Sequence, residues 1–389
     1  MPHLLVDISA HGYGHIAQTA PVVNELARRF PGLRITLRSA ATTTYLQQSF
    51  TCPFQHIQTA LDFGMAMFNA VEVDVPRSLA AYREYHRDWE TKVAHAADEM
   101  CALQPDVLFA NVPYLSLAAA QAAGIPSVAM CCLNWADIYR HYAPHDAESQ
   151  SIHTQMMEAY NSAQLFLKVQ PTMPMPGLHN ALEIAPIAQL GSKNNAGMLR
   201  SLPLMKQLAI RLSTIKLCKS LVIPPGEGWG GGSTQKLILV AMGGIDYRLP
   251  MENWPRIQGL CWLIPQAWNI QREDMVALES LGMSFSDVLA SADAVLTKPG
   301  YGTFAEAACS GVPVLYVSRG EWPEQPYLVQ WLQQNGVCRE VGIEQLRTGD
   351  LSIALEQLWG QAKPELPRAN GAAEAAEYLA GKIRKCRLG

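Results

Sequence analysis

Two histidines flank a glycine-containing turn near the amino terminus, in the segment Ala10-His11-Gly12-Tyr13-Gly14-His15. Glycine permits positive φ and close approach of the backbone. The helix predicted after the turn has free N–H groups at its start, which favour negative charge. A histidine beside such a loop can accept a proton at neutral pH. We therefore predict His15 as a general base and His11 as a second candidate, against the alternative of a tight turn with two half-exposed histidines.

A second glycine turn, Thr297-Lys298-Pro299-Gly300-Tyr301-Gly302-Thr303, follows a short apolar segment. Gly300 and Gly302 keep side chains away from the start of the helix predicted after this turn, and Thr303 adds a hydroxyl donor. Free N–H groups at a helix start suit a phosphate group. The turn therefore predicts a diphosphate site, with Lys298 as an additional positive charge.

Glu306, three residues after Thr303, has two competing interpretations. Its carboxylate could accept hydrogen bonds from the two hydroxyls of a ribose. The pattern Thr-x-x-Glu is also typical of a capping box, in which the glutamate bonds to the start of its own helix. A carboxylate held in that way is less free to bind a ribose, and the sequence leaves both interpretations open.

A longer pattern continues from this turn: Gly-Tyr-Gly-Thr-x-x-Glu, then Gly-Val-Pro, then Glu-Gln at Glu324 and Gln325. This order resembles the nucleotide-sugar segment of GT-B glycosyltransferases, in particular the peptidoglycan N-acetylglucosaminyltransferase family and the UDP-glucuronosyltransferase-like enzymes. The resemblance implies that Glu306 holds the ribose, that Glu324 and Gln325 hold the donor sugar, and that His15 acts on the acceptor side.

The same resemblance assigns two further segments of the second half of the chain. Met242-Gly243-Gly244 matches the loop that faces the diphosphate, and Met283-Ser284-Phe285 falls where the family's base-binding loop precedes a helix. The complete donor-binding set implied in this way is Gly243, Gly244, Phe285, Lys298, Gly300, Tyr301, Gly302, Thr303, Glu306, Glu324 and Gln325.

A closer likeness is to the glycosyltransferase-like half of plant arabinokinases and to its bacterial stand-alone relatives. It is carried by three segments, namely His11-Gly12-Tyr13-Gly14-His15, Met242-Gly243-Gly244-Ile245 and the turn at 297–303. The likeness implies the GT-B fold, an α/β architecture of two Rossmann-like doubly wound domains that face a cleft. His11 stands where the peptidoglycan family has a glycine, which argues against a lipid diphosphate acceptor, and the stretch 199–233 has no clear counterpart.

The activity implied by the resemblance is transfer of a sugar from a nucleotide-sugar, with a UDP-type donor favoured, to an acceptor that the sequence does not identify. The nucleotide-sugar is a co-substrate, no other cofactor is predicted, and inversion at the anomeric carbon is suspected. The sequence contains no Asp-x-Asp metal motif. Helix dipoles, backbone N–H groups and Lys298 are therefore expected to stabilise the leaving diphosphate. A catalytically silent sugar-nucleotide-binding module and a UDP-sugar isomerase on the same fold are the alternatives.

The first glycine turn also fits a different class of protein. Gly12-Tyr13-Gly14-His15-Ile16-Ala17 matches the dinucleotide fingerprint G-x-G-x-x-A between a predicted strand and a predicted helix. That fingerprint expects an acidic residue near the end of the second strand, where this chain has Leu37-Arg38-Ser39-Ala40. Arg38 could accommodate a 2′-phosphate, so an NADP-binding protein stays open as a weaker alternative.

Two series of strands and helices are expected to position these residues. Apolar runs at 4–8, 33–37, 106–110 and 125–130 predict buried strands of a first parallel sheet, with helices at 16–30, 82–103 and 116–123. Runs at 236–240, 294–296 and 312–317 predict a second sheet. The Pro- and Gly-rich stretch 170–191 is the predicted linker. We therefore expect an acceptor-side domain over 1–188, a nucleotide-sugar domain over 189–365, and a terminal segment 366–389 whose helix packs back across.

Composition excludes several classes of protein. The 389 residues are 49% apolar and 16% charged, which is inconsistent with intrinsic disorder. The net charge of −4 argues against nucleic-acid binding. Nine scattered cysteines without a C-x-x-C pair, and no signal-peptide pattern, predict a cytoplasmic protein with reduced thiols. Peripheral membrane contact through a basic terminal helix (Lys382, Arg384, Lys385 and Arg387) is possible but not favoured.

Overall fold

The computed structural model describes residues 1–193, 235–244 and 247–385. The predicted helix over 204–219, the glycine-rich segment 226–233, and therefore most of the stretch 199–233 lie outside the described residues. Within the described ranges the chain forms two parallel β-sheets with helices around them. This architecture confirms the predicted α/β class.

The first sheet has seven strands in the order β3-β2-β1-β6-β7-β8-β9, and every neighbouring pair is parallel. A two-stranded antiparallel ribbon, β4 with β5, stands apart from it. The strands are β1 (His3–Ile8), β2 (Arg34–Ser39), β3 (Gln55–Gln58), β4 (Met67–Asn69), β5 (Glu72–Val73), β6 (Val107–Asn111), β7 (Ser127–Cys131), β8 (Leu165–Val169) and β9 (Ala181–Ile184). Strands β1, β6 and β7 are buried along their whole length, as expected for a parallel sheet covered on both faces.

Seven helices accompany the first sheet: α1 (Gly14–Arg29), α2 (Thr43–Ser49), α3 (Val75–His86), α4 (Trp89–Leu103), α5 (Tyr114–Ala122), α6 (Trp135–Tyr142) and α7 (Ala147–Ser162). The prediction of one long helix over 82–103 was wrong, because the chain breaks between α3 and α4. His86 and Trp89 stack with ring centroids 4.8 Å apart, and His86 Nε2 lies 2.9 Å from the buried Tyr114 hydroxyl. Packing of these aromatic rings overrides the local helix propensity.

The second sheet has six parallel strands in the order β12-β11-β10-β13-β14-β15. They are β10 (Lys236–Ala241), β11 (Leu260–Ile264), β12 (Met275–Ala277), β13 (Ala294–Thr297), β14 (Val314–Tyr316) and β15 (Cys338–Glu340). The described helices of this half are α8 (Phe285–Ser291), α9 (Tyr301–Ser310), α10 (Gln325–Asn335), α11 (Ile343–Thr348) and α12 (Ser352–Trp359). Strand β10 reverses the order of the sheet, so the loops after β10 and β13 meet at one point of its carboxyl edge.

The stretch predicted as a linker is partly an element of the first sheet. Its residues Ala181–Ile184 form the edge strand β9, paired with β8. The last helix, α13 (Gly371–Lys385), packs on α1, where Arg29 forms an ion pair with Glu377 at 2.7 Å. The Gly371 N–H donates to the carbonyl oxygen of Pro186. The terminal helix therefore contacts the first half of the chain, while the exact domain bounds stay a prediction.

Candidate functional site in the cleft between the sheets

The two glycine turns meet where the carboxyl edges of the sheets face each other. A Cβ placed on Gly244, after β10, would lie 2.5 Å from Cδ2 of Tyr13 in the first turn. A Cβ on Gly302, in α9, would lie 3.6 Å from the Cβ of Ala17 in α1. The approach at Gly244 leaves no room for a Cβ and so requires glycine, whereas the contact at Gly302 is an ordinary van der Waals distance. The two glycine turns therefore lie next to each other in the cleft between the sheets.

His15 lies at the bottom of this cleft, in the first turn of α1, and is 5% exposed. Its Nδ1 is 2.9 Å from Oδ1 of Asn111, at the end of β6, and 3.7 Å from Sγ of Cys131, at the end of β7. None of the described side chains is a hydrogen-bond partner of Nε2. When Nδ1 carries a proton shared with Asn111, Nε2 is the atom that can accept or donate one in the cleft.

Cys131 controls the charge of this histidine. Burial disfavours the imidazolium, but the Cys131 sulfur and Asn111 outweigh burial and raise the pKa of His15 to about 9. The pKa of Cys131 falls to about 6, because hydrogen bonds from its neighbours and the His15 charge outweigh the effect of burial. Thiolate and imidazolium therefore form the pair at neutral pH, and neutral His15 becomes abundant above pH 9.

His11, four residues earlier, has the opposite electrostatic environment. Its ring stacks on Trp322 with centroids 5.7 Å apart and meets the edge of Trp135 at 5.0 Å. Burial, followed by repulsion from His15 and Arg319, lowers the pKa of His11 to about 3. His11 is therefore neutral at pH 7 but a weak base, and its ring is one of a stack of aromatic side chains between the halves.

Asp62 forms hydrogen bonds with the residues that precede the histidine turn. Its Oδ1 accepts hydrogen bonds from the Ser9 hydroxyl at 3.0 Å and from the Ala10 N–H at 2.9 Å. Burial raises the pKa of this carboxyl, since it is 6% exposed, although its hydrogen bonds oppose that effect. Asp62 fixes the backbone that carries His11 and His15.

Lys298 occupies the second glycine turn. Its Nζ lies 3.4 Å from the position that a Cβ on Gly243 would take, and 3.9 Å from that of a Cβ on Gly300. Gly243 has φ of +87°, a conformation that favours glycine. Burial and the nearby Arg319 lower the pKa of Lys298 to about 7, although Glu324 opposes them. The amine therefore lies between the two loops that the resemblance assigns to a diphosphate.

Glu306 is buried, at 8% exposed, on the inner side of α9. The capping-box interpretation was wrong, because the N-cap of α9 is Gly300 and no side chain bonds to it, which leaves Thr303 within the first turn. Burial raises the pKa of Glu306 to about 8, while a hydrogen bond from the Gln189 backbone opposes the shift. The carboxyl is thus not tied to its own helix start, and its ribose role stays a prediction.

Glu324 and Gln325 hold the loop after β14. One oxygen of Glu324 accepts from the Cys132 thiol across the cleft at 3.0 Å, and the other accepts from Nε1 of Trp322 at 3.0 Å. Oε1 of Gln325 accepts a hydrogen bond from the backbone N–H of Arg319 at 2.7 Å. Both side chains therefore shape this loop, and their contact with a donor sugar stays a prediction.

The remaining predicted residues differ in their surroundings. The Tyr301 hydroxyl accepts from the Ile187 N–H at 2.8 Å and lies 3.1 Å from the Gln170 carbonyl oxygen, so this side chain contacts the predicted linker. Phe285 is 39% exposed at the start of α8, whose N-cap is Ser284. Thr303 is half-buried. Donor contacts by these three residues stay predictions.

Arg38, the residue on which an NADP interpretation depends, is already paired. It donates to both carboxylate oxygens of Asp7, at 2.7 and 2.6 Å, and the two side chains are 3% and 0% exposed. A guanidinium held in this way inside the sheet is not available to a 2′-phosphate. The structure thus disagrees with the dinucleotide interpretation of the first turn.

Four residues of the cleft were not found from the sequence: Asp62, Asn111, Cys131 and Arg319. Asn111 and Cys131 each come directly after a predicted strand, and the carboxyl ends of neighbouring parallel strands are the positions where ligand-facing residues collect. Their pairing with His15 spans 96 and 116 residues, so it could not be read from local spacing.

Membrane and metal sites were also considered among the described residues. No helix in those ranges is long and apolar enough to cross a bilayer. No three His, Cys, Asp or Glu side chains in the described ranges come together as candidate metal ligands. On α13, Arg384 lies over the Phe30 ring and 3.5 Å from Glu377, while Arg387 is outside the described residues. Membrane contact by this helix stays a prediction.

Comparisons with known proteins agree with this geometry. No family model matches the sequence. The chain is 23% identical over 365 residues to L-arabinokinase of Arabidopsis thaliana, and the match covers 93% of this chain but 31% of that protein. The chain therefore spans less than a third of that relative's length.

Solved structures give the fold. The glycosyltransferase VinC in complex with dTDP superimposes with a TM-score of 0.56 at 16% identity over 100% of both chains. A UDP-N-acetylglucosamine 2-epimerase superimposes with a TM-score of 0.50 at 13% identity over 99% of this chain and 97% of that one. The protein has the GT-B fold, and most of this chain is distantly homologous to one part of plant L-arabinokinase.

Proposed function

We propose that the protein transfers a sugar from a nucleotide-sugar, with a UDP-type donor favoured, to an acceptor hydroxyl. The observation that carries the proposal is the position of His15, held by Asn111 at the cleft, opposite the glycine loops and Lys298 of the second sheet. In this arrangement the loops at Gly243–Gly244 and 297–303 bind the donor. Glu306 holds the ribose, and Glu324 and Gln325 hold the sugar.

The chemical step is a single displacement. Nε2 of neutral His15 accepts the proton of the acceptor hydroxyl while that oxygen bonds to the anomeric carbon. The bond from the anomeric carbon to the phosphate oxygen breaks, and its electron pair leaves with the nucleoside diphosphate. Proton acceptance of this kind contributes a factor of about 10²–10⁴ in rate. Attack from the face opposite the leaving group inverts the anomeric configuration.

The pairing of His15 with Cys131 favours a second candidate, a sugar-nucleotide-binding module without turnover. A base with a pKa of about 9 is mostly protonated at pH 7 and cannot accept the acceptor proton in that form. An isomerase acting on a UDP-sugar is a third candidate, since the GT-B fold also includes an epimerase of such a compound.

Titration and product release separate these candidates. We expect UDP to bind in calorimetry, in preference to GDP and dTDP, and release of UDP from a panel of UDP-sugars to be faster at pH 9 than at pH 7. A silent module binds UDP-sugars but releases no UDP at either pH. An isomerase converts the sugar while the nucleotide stays attached, which chromatography detects. Absence of binding to every nucleotide would exclude all three.

A further inference from the structure

A continuous chain of buried hydrogen bonds crosses the cleft from the second half of the molecule to His15. The Cys132 thiol donates to Oε1 of Glu324 at 3.0 Å, and its sulfur accepts from Nε2 of Gln18 at 2.9 Å. Oε1 of Gln18 accepts from Nδ2 of Asn111 at 3.2 Å, and Oδ1 of Asn111 lies 2.9 Å from Nδ1 of His15. All five residues are at most 5% exposed. Because a buried polar group without a partner is costly, these five side chains depend on one another.

The direction of this chain is fixed at its Glu324 end. A carboxylate only accepts hydrogen bonds, so Cys132 has to donate its S–H there. Burial raises the pKa of the Cys132 thiol, so the sulfur keeps this proton. Towards Gln18 the sulfur can then only accept, which turns the amide nitrogen of Gln18 to Cys132 and the amide oxygen to Asn111. Asn111 therefore donates from Nδ2 to Gln18, and its Oδ1 is left to face His15.

This direction decides which nitrogen of His15 is basic. An amide oxygen 2.9 Å from Nδ1 requires a proton on Nδ1. When the imidazolium loses a proton, the proton therefore leaves Nε2, which has no hydrogen-bond partner among the described side chains. If Asn111 turned its amide over, Nδ2 would donate to Nδ1 of the neutral ring. The remaining proton would then lie on Nε2, which could not accept another one.

The chain is complete only while the two halves are in contact. Glu324 lies in the loop after β14, whereas Gln18 lies in α1 and Cys132 follows β7. The other oxygen of Glu324 accepts from Nε1 of Trp322 at 3.0 Å. A carboxylate has about four acceptor positions, so Glu324 can accept a sugar hydroxyl in addition to these two bonds. Donor contact and orientation of the base are therefore compatible at the same carboxylate.

We infer that Gln18 and Cys132 are positioning residues that carry the orientation of Glu324 across the cleft to His15 and thereby make Nε2 its basic nitrogen. The inference deepens the proposed function and rests on it for the reaction that His15 serves. Both residues act on His15 through Asn111. Loss of either link leaves the amide of Asn111 free to adopt both orientations, so the neutral ring also populates the tautomer that cannot accept the acceptor proton.

NMR of the full-length protein labelled with nitrogen-15 histidine tests the chain. Chemical shifts of a neutral ring distinguish a protonated from an unprotonated nitrogen, and His15→Ala identifies the signals of this residue. The variants are Gln18→Met and Cys132→Ala, with the exposed Gln121→Met of α5 as the control. All are made in a Cys131→Ser background, because the Cys131 sulfur lies 3.7 Å from Nδ1 and also favours a proton there. Spectra are recorded above the pH at which His15 becomes neutral.

With the chain intact, we expect Nδ1 to be protonated and Nε2 to be unprotonated. Gln18→Met and Cys132→Ala should each change the ratio of the two tautomers by about 3- to 10-fold, the effect of one buried hydrogen bond. Cys132→Ser has a hydroxyl that can donate to Glu324 and accept from Gln18, so it should keep the ratio of the parent protein. An unchanged ratio in Gln18→Met and Cys132→Ala would overturn the inference. Melting curves identify a variant that fails to fold, and the other variant then decides.

Turnover separates failure of this inference from failure of the proposed function. In the same background, Gln18→Met should lower kcat by about 10-fold, part of the factor of about 10²–10⁴ that a positioned base contributes, and leave KM for the nucleotide-sugar unchanged. If the parent transfers sugar and Gln18→Met matches it in kcat and in tautomer ratio, the inference is overturned and the proposed function stands. If the variants change the tautomer but neither the wild type nor the parent transfers sugar, the chain stands and the proposed function is overturned.

Discussion

Arg38 in the first sheet and Arg319 in the second are both buried, yet their surroundings differ. Arg38 forms two hydrogen bonds with the fully buried Asp7, whereas Arg319 has a buried Nε without a partner. The same residue type is therefore held by an ion pair in one half and keeps an unpartnered Nε in the other. The difference lies in the neighbouring carboxylate. Both oxygens of Asp7 accept from Arg38, whereas both oxygens of Glu324 accept from other groups.

The comparison extends to the two faces of the cleft. On the first-sheet face, His15 and Cys131 compensate each other's charge, so this face can exchange a proton without a ligand. On the second-sheet face, burial and the nearby Arg319 lower the pKa of Lys298, and burial lowers the pKa of Arg319. An anionic ligand offsets the repulsion between the two cations. We therefore assign proton transfer to the first face and donor binding to the second.

The largest expected effect concerns the paired arginine. Arg38→Gln leaves Asp7 as an uncompensated buried charge, which costs about 3–5 kcal/mol of unfolding free energy. Arg319→Gln removes a charge whose Nε has no hydrogen-bond partner, and it should lower this free energy by less. Urea unfolding of both variants at pH 7 measures the difference. Equal losses would show that the two arginines do not differ in the way proposed.

Glu306 should make stability depend on pH. Its pKa of about 8 in the folded protein exceeds the usual value, so the folded state keeps a proton that the unfolded state loses. This contribution is complete at low pH and is lost as pH rises through 8, by roughly 1.4 kcal/mol per unit between about pH 4.5 and 8. The free energy of unfolding of the wild type should therefore fall between pH 5 and pH 9 by more than that of Glu306→Gln, which has no carboxyl at this position. The exposed Glu356→Gln is the control, and a constant difference for both variants would contradict the assignment.

Cys131→Ser should shift the pH dependence of turnover. Without the thiolate, burial dominates, and the pKa of His15 should fall from about 9 to 6.5 or below. About 1% of a base with a pKa of 9 is neutral at pH 7. The transfer rate at that pH could thus rise by up to about 100-fold. The exposed Cys101→Ser is the control and should keep the wild-type profile. An unshifted profile for Cys131→Ser would show that the thiol does not set the pKa of His15.

Gly243→Ala is expected to have the smallest effect. The position has φ of +87°, which costs a residue with a Cβ about 1–2 kcal/mol, and the new methyl would lie 3.3 Å from Cε of Lys298. Stability should fall by that amount, and UDP binding should weaken as Lys298 moves. Gly381→Ala, in helix α13 with open space around it, is the matched control and should stabilise the protein slightly. Unchanged UDP affinity in Gly243→Ala would place Lys298 away from the phosphate.

Much of the fold could be predicted because its strands are buried on both faces and appear as apolar runs, as at β1, β6 and β10. The break at residues 87–88 and the edge strand β9 could not, since stacking of His86 on Trp89 and pairing with β8 are tertiary effects. For the site, glycine turns indicated the loops. The contacts of His15 with Cys131, and the missing partner of Arg319, depend on residues far apart in the chain.

Parallel nucleotide titration and turnover assays of His15→Ala and Glu306→Ala test the central claim most directly, with the exposed His95→Ala as control. We predict that Glu306→Ala weakens donor binding by about 0.5–1.5 kcal/mol, because the ribose loses the hydrogen bond of a neutral carboxyl. His15→Ala should bind nucleotide as the wild type does and lose turnover, because the base acts on the acceptor proton. Loss of nucleotide affinity in His15→Ala with unchanged affinity in Glu306→Ala would contradict the account and place the nucleotide at the first glycine turn.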